Sequence, residues 1–169
     1  YGFEPHPQTY KQLKNNLALN NFSNLEVFNI GLGEEAGSFS MAVASPVNAG
    51  MNYINIQSDK KSDFTVQVST LDQFFQDQKL GGLDMVKIDV EGFEFAVLKG
   101  GIQTISKYLP KLFIELDDGN LKRNGHSTKE LISLLEKLGY KCKNLKTGAT
   151  VTPYDDFKNC HFDVLCIVK

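Results

Sequence analysis

Residues 85–101 read MVKIDVEGFEFAVLKGG, and the change of period inside this stretch decides the fold. Val86, Ile88 and Val90 alternate with Lys87 and Asp89, the period of a strand. From Phe95 onward, Phe95, Leu98, Ile102 and Ile105 recur at helical spacing, with a break expected at Gly100-Gly101. Between strand and helix stands Asp89-Val90-Glu91-Gly92. Burying an unpaired carboxylate is costly, so two acids at such a handover mark either a solvated edge or a site. On a strand pleat Asp89 faces the rim, Val90 packs inward and Glu91 returns to the rim side. Gly92 lets a ligand or another backbone come close.

Outward from this stretch the same alternation repeats. YGFE at the start is a very short strand, and PHPQTYKQLKNNLALNN is a helix with Pro7 in its first turn. Tyr10, Leu13 and Leu17 share one helical face there. LEVFNIGL is read as a strand, residues 31–61 as irregular, and FTVQVS as a strand. Thr70 with Gln73 forms a capping box that opens a short helix carrying Phe74 and Phe75. After Pro110 comes the strand KLFIEL. A second capping box, Ser127 with Glu130, opens a helix whose Leu131, Leu134, Leu135 and Leu138 face inward, and Gly139 supplies the left-handed stop. YKCKNLKTGATV and HFDVLCIVK are β-rich and near enough to pair antiparallel. Strands alternating with helices imply an α/β domain, residues 1–169, with a mostly parallel sheet covered on both faces.

At 169 residues the chain can bury a real core, and a formal charge of −2 argues against a protein built to grip phosphate backbones. The odd number of cysteines, Cys142, Cys160 and Cys166, lacks zinc or disulfide-framework spacing; a reducing cytoplasm suits them. Cys166 reads as a small core residue. No stretch approaches the ~18 apolar residues that a membrane helix requires.

In open α/β sheets ligands lie beyond the carboxyl ends of the strands. Glu4, Asp89, Glu91 and Glu115 all stand at such ends. Glu4, closing the first strand, suits the two neighbouring hydroxyls of a ribose; its other reading is a solvent-facing residue before Pro5. Asp89 and Glu91 suit general-base work or orientation of a hydroxyl nucleophile. They could instead hold a divalent cation, although the metal-free version is preferred. Alternatively, Glu91 and Glu94 merely complement the positive end of the next helix. Glu115 is placed either behind the site as a support or as a substrate contact, and Asp117-Asp118-Gly119-Asn120 reads as a turn. His126 lies on the same side of the sheet, its other reading being an incidental loop histidine, whereas His6 and His161 show no partner pattern. Residues 33–59, rich in Ser and Asn, read as a lid or substrate loop.

Taken together, YGFEPHPQTYKQLKNNLALNN, VSTLDQFF, LDMVKIDVEGFEFAVLKGG and PKLFIEL resemble, in order and spacing, the FkbM-type S-adenosylmethionine-dependent methyltransferase family. The resemblance runs from Tyr1 to about Glu115 and more loosely onward. It implies a Rossmann-like class I methyltransferase fold with an antiparallel final strand. It also implies methyl transfer from S-adenosylmethionine to a hydroxyl of a sugar, glycan or secondary metabolite. Carried over, Glu4 binds the cofactor ribose, and Asn29, Ile30, Gly31 and Leu32 approach the adenine. Asp89 and Glu91 face the methionine end and the acceptor hydroxyl, with Glu115 and His126 toward the acceptor.

The family begins with a strand, a glycine-rich loop and a helix, a unit of about 30 residues, and this sequence opens at Tyr1 in the strand expected after it. The expectation is either a fragment that starts after that unit or a degenerate relative that lacks it, with two unpaired edges where its strand would lie between YGFE and VKIDV. This leaves a second reading, a non-catalytic remnant or binding module. A dehydrogenase-type nucleotide domain is a third, but the sequence holds no G-x-G-x-x-G.

Overall fold

A computed structural model describes residues 1–42, 53–54 and 64–168. In chain order it begins with β1 (Gly2–Phe3), α1 (Pro7–Ala18), β2 (Val27–Phe28), β3 (Gly31–Leu32), β4 (Gly37–Ala42) and β5 (Tyr53–Ile54). The middle holds β6 (Phe64–Ser69), α2 (Leu71–Asp77), β7 (Met85–Ile88), α3 (Glu94–Lys99) and α4 (Ile102–Tyr108). The last part is β8 (Lys111–Asp117), α5 (Asp118–Arg123), α6 (Thr128–Lys137), β9 (Tyr140–Asn144), β10 (Thr150–Val151) and β11 (His161–Val168).

The main sheet has the order β10-β9-β11-β8-β7. β7 and β8 run parallel, and β11 enters antiparallel between β8 and β9. The antiparallel final strand matches the expectation. Leu112, Ile114 and Leu116 of β8, with Val164 and Cys166 of β11, are fully buried. Leu131, Ile132 and Leu135 of α6 are equally buried, and burial of each such side chain contributes roughly 1.5–3 kcal/mol. Cys142 and Cys166 are partners across β9 and β11, and both are buried.

Elsewhere the sheet divides in ways the sequence does not display. LEVFNIGL is not one strand. Its first part, β2, pairs parallel with β1, and its second, β3, joins a separate sheet ordered β3-β6-β4-β5. The switch is pinned by Asn29, whose Nδ2 donates to the carbonyls of Glu4 at 2.8 Å and Pro5 at 3.0 Å. The stretch read as irregular supplies β3, β4 and β5 of that sheet. The rest of the expected lid lies at residues 43–52 and 55–59, outside the described residues.

The local signals are in place. His6 caps α1, and Pro7 sits in its first turn. Thr70 and Ser127 cap α2 and α6 through the amides of Gln73 and Glu130. The break at Gly100-Gly101 separates α3 from α4. A Cβ on Gly100 would stand 1.8 Å from the carbonyl oxygen of Gly33, so the two backbones touch where only glycine fits. Two readings need correction. Asp117-Asp118-Gly119-Asn120 is no free turn: Asp117 caps α5, and Asp118 is buried at its first position. Val90 does not pack inward; it is exposed, because β7 has already left its ladder at Ile88.

Candidate active site at the β1–β7 cavity

β1 and β7 each terminate their sheets, and a cavity of about 500 Å³ lies between them. Phe74, Ile88 and Phe93 give the cavity an apolar lining, while Glu4, Asp89 and Glu91 also line it. Phe74 contacts Phe3 edge-on at 4.8 Å and Phe28 at 5.0 Å, fixing the β1–β2 pair against α2. Each such aromatic pair contributes about 0.5–1.5 kcal/mol beyond burial.

Glu4 is half-buried, and its Oε1 accepts the amide of His6 at 2.8 Å. Burial raises its carboxyl above the ordinary range, partly offset by that amide. Gly31 and Leu32, which follow the Asn29 switch, line the same cavity. Asn29 and Ile30 do not: Asn29 is spent on the backbone of residues 4 and 5, and Ile30 packs against the core.

On the opposite wall Asp89 is exposed, and its Oδ2 meets Lys87 Nζ at 2.6 Å. In water such a pair contributes at most about 1 kcal/mol, so it orients Asp89 without neutralising it strongly. Glu91 adopts φ 52° and Gly92 φ 99°, two successive left-handed residues. Asn120 Nδ2 donates to Glu91 Oε2 at 2.9 Å, and Asn124 Nδ2 donates to the Gly92 carbonyl at 3.1 Å. The backbone that Gly92 admits is that of Asn120, whose carbonyl oxygen would stand 2.3 Å from an added Cβ.

Glu94 is the residue the sequence undervalued. It is buried, and its Oε1 accepts the amides of both Val90 and Gly92 at 3.1 Å. It therefore holds the turn that presents Glu91, whereas a role limited to the helix end would leave it in solvent. Burial raises its carboxyl above the ordinary range against the pull of those amides, and the nearby Asp89 adds to the rise. Its helical spacing to Val97 and Leu98, both buried, is the signal that could have found it.

Glu115 does not line the cavity but stands within electrostatic reach of Asp89, Glu91 and Glu94; burial, then the Asp89 charge, raises its carboxyl. His126 packs its ring on Phe95 at 4.3 Å. His161, left without a partner by the sequence, has one: its Nδ1 lies 3.1 Å from Asp117 Oδ2. No cluster of three or more metal-type ligands occurs among the described residues, nor is any described helix long and apolar enough to cross a membrane.

A family profile described as the methyltransferase FkbM domain matches residues 1–142. The crystal structure of methyltransferase FkbM from Methylobacillus flagellatus KT is similar in fold, with a TM-score of 0.56 and 20% sequence identity. The match covers 97% of this chain and 35% of that one, so the chain spans about a third of the length of the structure it resembles. No curated protein matches the sequence.

Proposed function

This chain belongs to the FkbM methyltransferase family, and from that premise we propose an S-adenosylmethionine-dependent O-methyltransferase acting on a hydroxyl of a sugar, glycan or secondary metabolite. One observation carries the reading. Glu4, Asp89 and Glu91 line one cavity, each with one carboxylate oxygen held by the protein. The second oxygen of each makes no hydrogen bond among the described residues. Orientation is fixed in advance while acceptor capacity is kept for a ligand, the arrangement that favours positioning.

A cavity of about 500 Å³ falls in the ordinary range for small-molecule sites, and its acids suit a donor that carries hydroxyls and a positive charge. When bound, S-adenosylmethionine supplies a methyl group activated on a sulfonium. Glu4 would accept from its ribose, and Gly31 and Leu32 would border its base. Asp89 would orient the acceptor hydroxyl, and Glu91 would face the methionine end of the donor. Residues 1–169 form, on this reading, part of one methyltransferase domain whose further strand fills the gap between the terminal edges of β1 and β7.

Calorimetric titration with S-adenosylhomocysteine tests this, beside a chain extended ahead of Tyr1. Glu4→Gln should weaken binding roughly tenfold or more, the effect of losing a charge-assisted hydrogen bond. Asp89→Asn should bind normally but slow turnover. Absence of binding by both folded proteins would leave the non-catalytic binding module as the better reading.

A further inference from the structure

The β8–β11 ladder places four titratable side chains in a square that the cavity site leaves unused. His161 is the register partner of Asp117, and Asp163 that of Glu115. Two carboxylates directly opposite one another repel, so this arrangement calls for a positive or proton-sharing group. His161 supplies it. Nδ1 lies 3.1 Å from Asp117 Oδ2, and Nε2 lies 3.7 Å from Glu115 Oε1. The first is a hydrogen bond. The second is too long for one.

Asp117 is itself fixed, because its Oδ1 accepts the amide of Asn120 as the cap of α5. With its proton on Nδ1, donated to Asp117, the imidazole presents a bare Nε2 toward Glu115. That is the tautomer a general base needs. The side chain of His161 is 67% exposed while those of Asp117 and Glu115 are 26% and 19% exposed, so a base open to solvent rests on two half-buried supports. Asp89 and Glu115 each follow a residue of the parallel pair Ile88–Ile114, so the strand register sets Glu115 next to the Asp89 wall of the cavity.

We propose that His161, oriented by Asp117, is the catalytic base that takes the proton from the acceptor hydroxyl, and that Glu115 accepts a hydrogen bond from the same acceptor. The proposal rests on the O-methyltransferase reading. The acceptor O–H bond breaks and its proton passes to Nε2. The oxygen gains the methyl group as the carbon–sulfur bond breaks, the bonding pair returning to sulfur, which becomes a neutral thioether. The positive charge leaves the sulfonium and ends on the imidazolium, where Asp117, Glu115 and Asp163 stabilise it. Asp89 then keeps an orienting part, consistent with its tie to Lys87.

Among the described residues, the charged groups facing His161 are Asp117 and Glu115 from β8 and Asp163 from its own strand, all acidic. The Asp117 hydrogen bond, then Glu115, holds the imidazole above the ordinary histidine range. The base is therefore active only above that raised value, and turnover should fall as pH drops through it.

The test has two parts. First, imidazole ¹⁵N resonances of His161 are followed against pH with no donor present, with and without a panel of methyl glycosides and simple alcohols. The expected neutral tautomer carries its proton on Nδ1, its titration moves down in Asp117→Asn, and an accepted glycoside perturbs Nε2. The opposite tautomer overturns the proposal. Second, methyl transfer to the same panel is followed against pH. His161→Gln should lower kcat roughly 100-fold or more, leave KM for the donor unchanged and remove the acidic limb. Asp117→Asn, which keeps the α5 cap, should shift that limb to lower pH. Turnover in His161→Gln within twofold of wild type, limb intact, sinks the base assignment alone. Absence of transfer by the wild type to every hydroxyl sinks the underlying reading and the proposal with it.

Discussion

Replacing Gly92 by alanine separates two costs that a structure usually presents together. Gly92 has φ 99°, and an added Cβ would meet the Asn120 carbonyl oxygen at 2.3 Å and its carbon at 2.6 Å. Gly139 has φ 90° with nothing within 4 Å of the same position. Both substitutions place a side chain in left-handed backbone, at about 1–2 kcal/mol. Only Gly92→Ala also overpacks a fixed backbone, which adds about 1–3 kcal/mol. The expected losses are therefore about 1–2 kcal/mol for Gly139→Ala and about 2–5 kcal/mol for Gly92→Ala.

Urea unfolding of the two variants and wild type measures the difference directly. The Gly92 variant should also bind S-adenosylhomocysteine more weakly while still folded, because a displaced Asn120 releases Glu91. Gly139, at the far end of α6, should leave binding untouched. Equal losses in the two variants, within about 0.5 kcal/mol, would refute the close approach of residues 92 and 120 and the account of how Glu91 is held.

Four further outcomes follow from individual side chains. Glu94→Ala leaves two amides without an acceptor and should cost about 2–4 kcal/mol in chemical denaturation, whereas Glu94→Gln keeps an acceptor and should cost much less. Because burial raises Glu94, Glu4 and Glu115 above their ordinary value of 4.5, the folded state holds those protons more firmly than the unfolded state. Stability should then fall as pH rises from about 4.5 through the raised values, and Glu94→Gln should flatten that fall; a parallel profile would remove Glu94 from the account. Asp72 accepts the amides of Thr104 at 2.7 Å and Gln103 at 3.2 Å, capping α4 from α2, so Asp72→Ala should lower Tm by roughly 3–6 °C. Buried Tyr140 donates its hydroxyl to the Pro110 carbonyl at 2.8 Å, and Tyr140→Phe should cost about 1 kcal/mol by denaturant titration.

What the sequence displays and what it hides divide along the distance between interacting residues. Thr70 with Gln73, Ser127 with Glu130 and Pro7 act within one helical turn, and all three helices start where those residues place them. Strand pairing has no such local record. Nothing within LEVFNIGL says that Val27 pairs with Gly2 while Gly31 pairs with Val68; that division depends on Asn29 reaching the backbone of residues 4 and 5. His161 looked isolated for the same reason, since its partner Asp117 lies 44 positions away and meets it only through an antiparallel register.

The same distinction explains how so many acids can share one rim. Strand-end position, a local property, was enough to single out Glu4, Asp89, Glu91 and Glu115. It could not show why their mutual repulsion is tolerated, because half of the groups that restrain them come from elsewhere in the chain. Asn120 reaches Glu91 across 29 positions and His161 reaches Glu115 across the ladder, while Lys87 and the His6 amide serve Asp89 and Glu4 from close by. Each restraint engages part of a carboxylate and leaves the remainder for a ligand. Removing a restraint should therefore alter ligand affinity more than stability, since the exposed members have little folding energy to lose. Asn120→Ala is the sharpest case: it should weaken S-adenosylhomocysteine binding several-fold with a stability loss of no more than about 1 kcal/mol. A variant that loses stability but keeps its affinity would show Asn120 to be a strut for the turn, with no hold on the ligand-facing carboxylate.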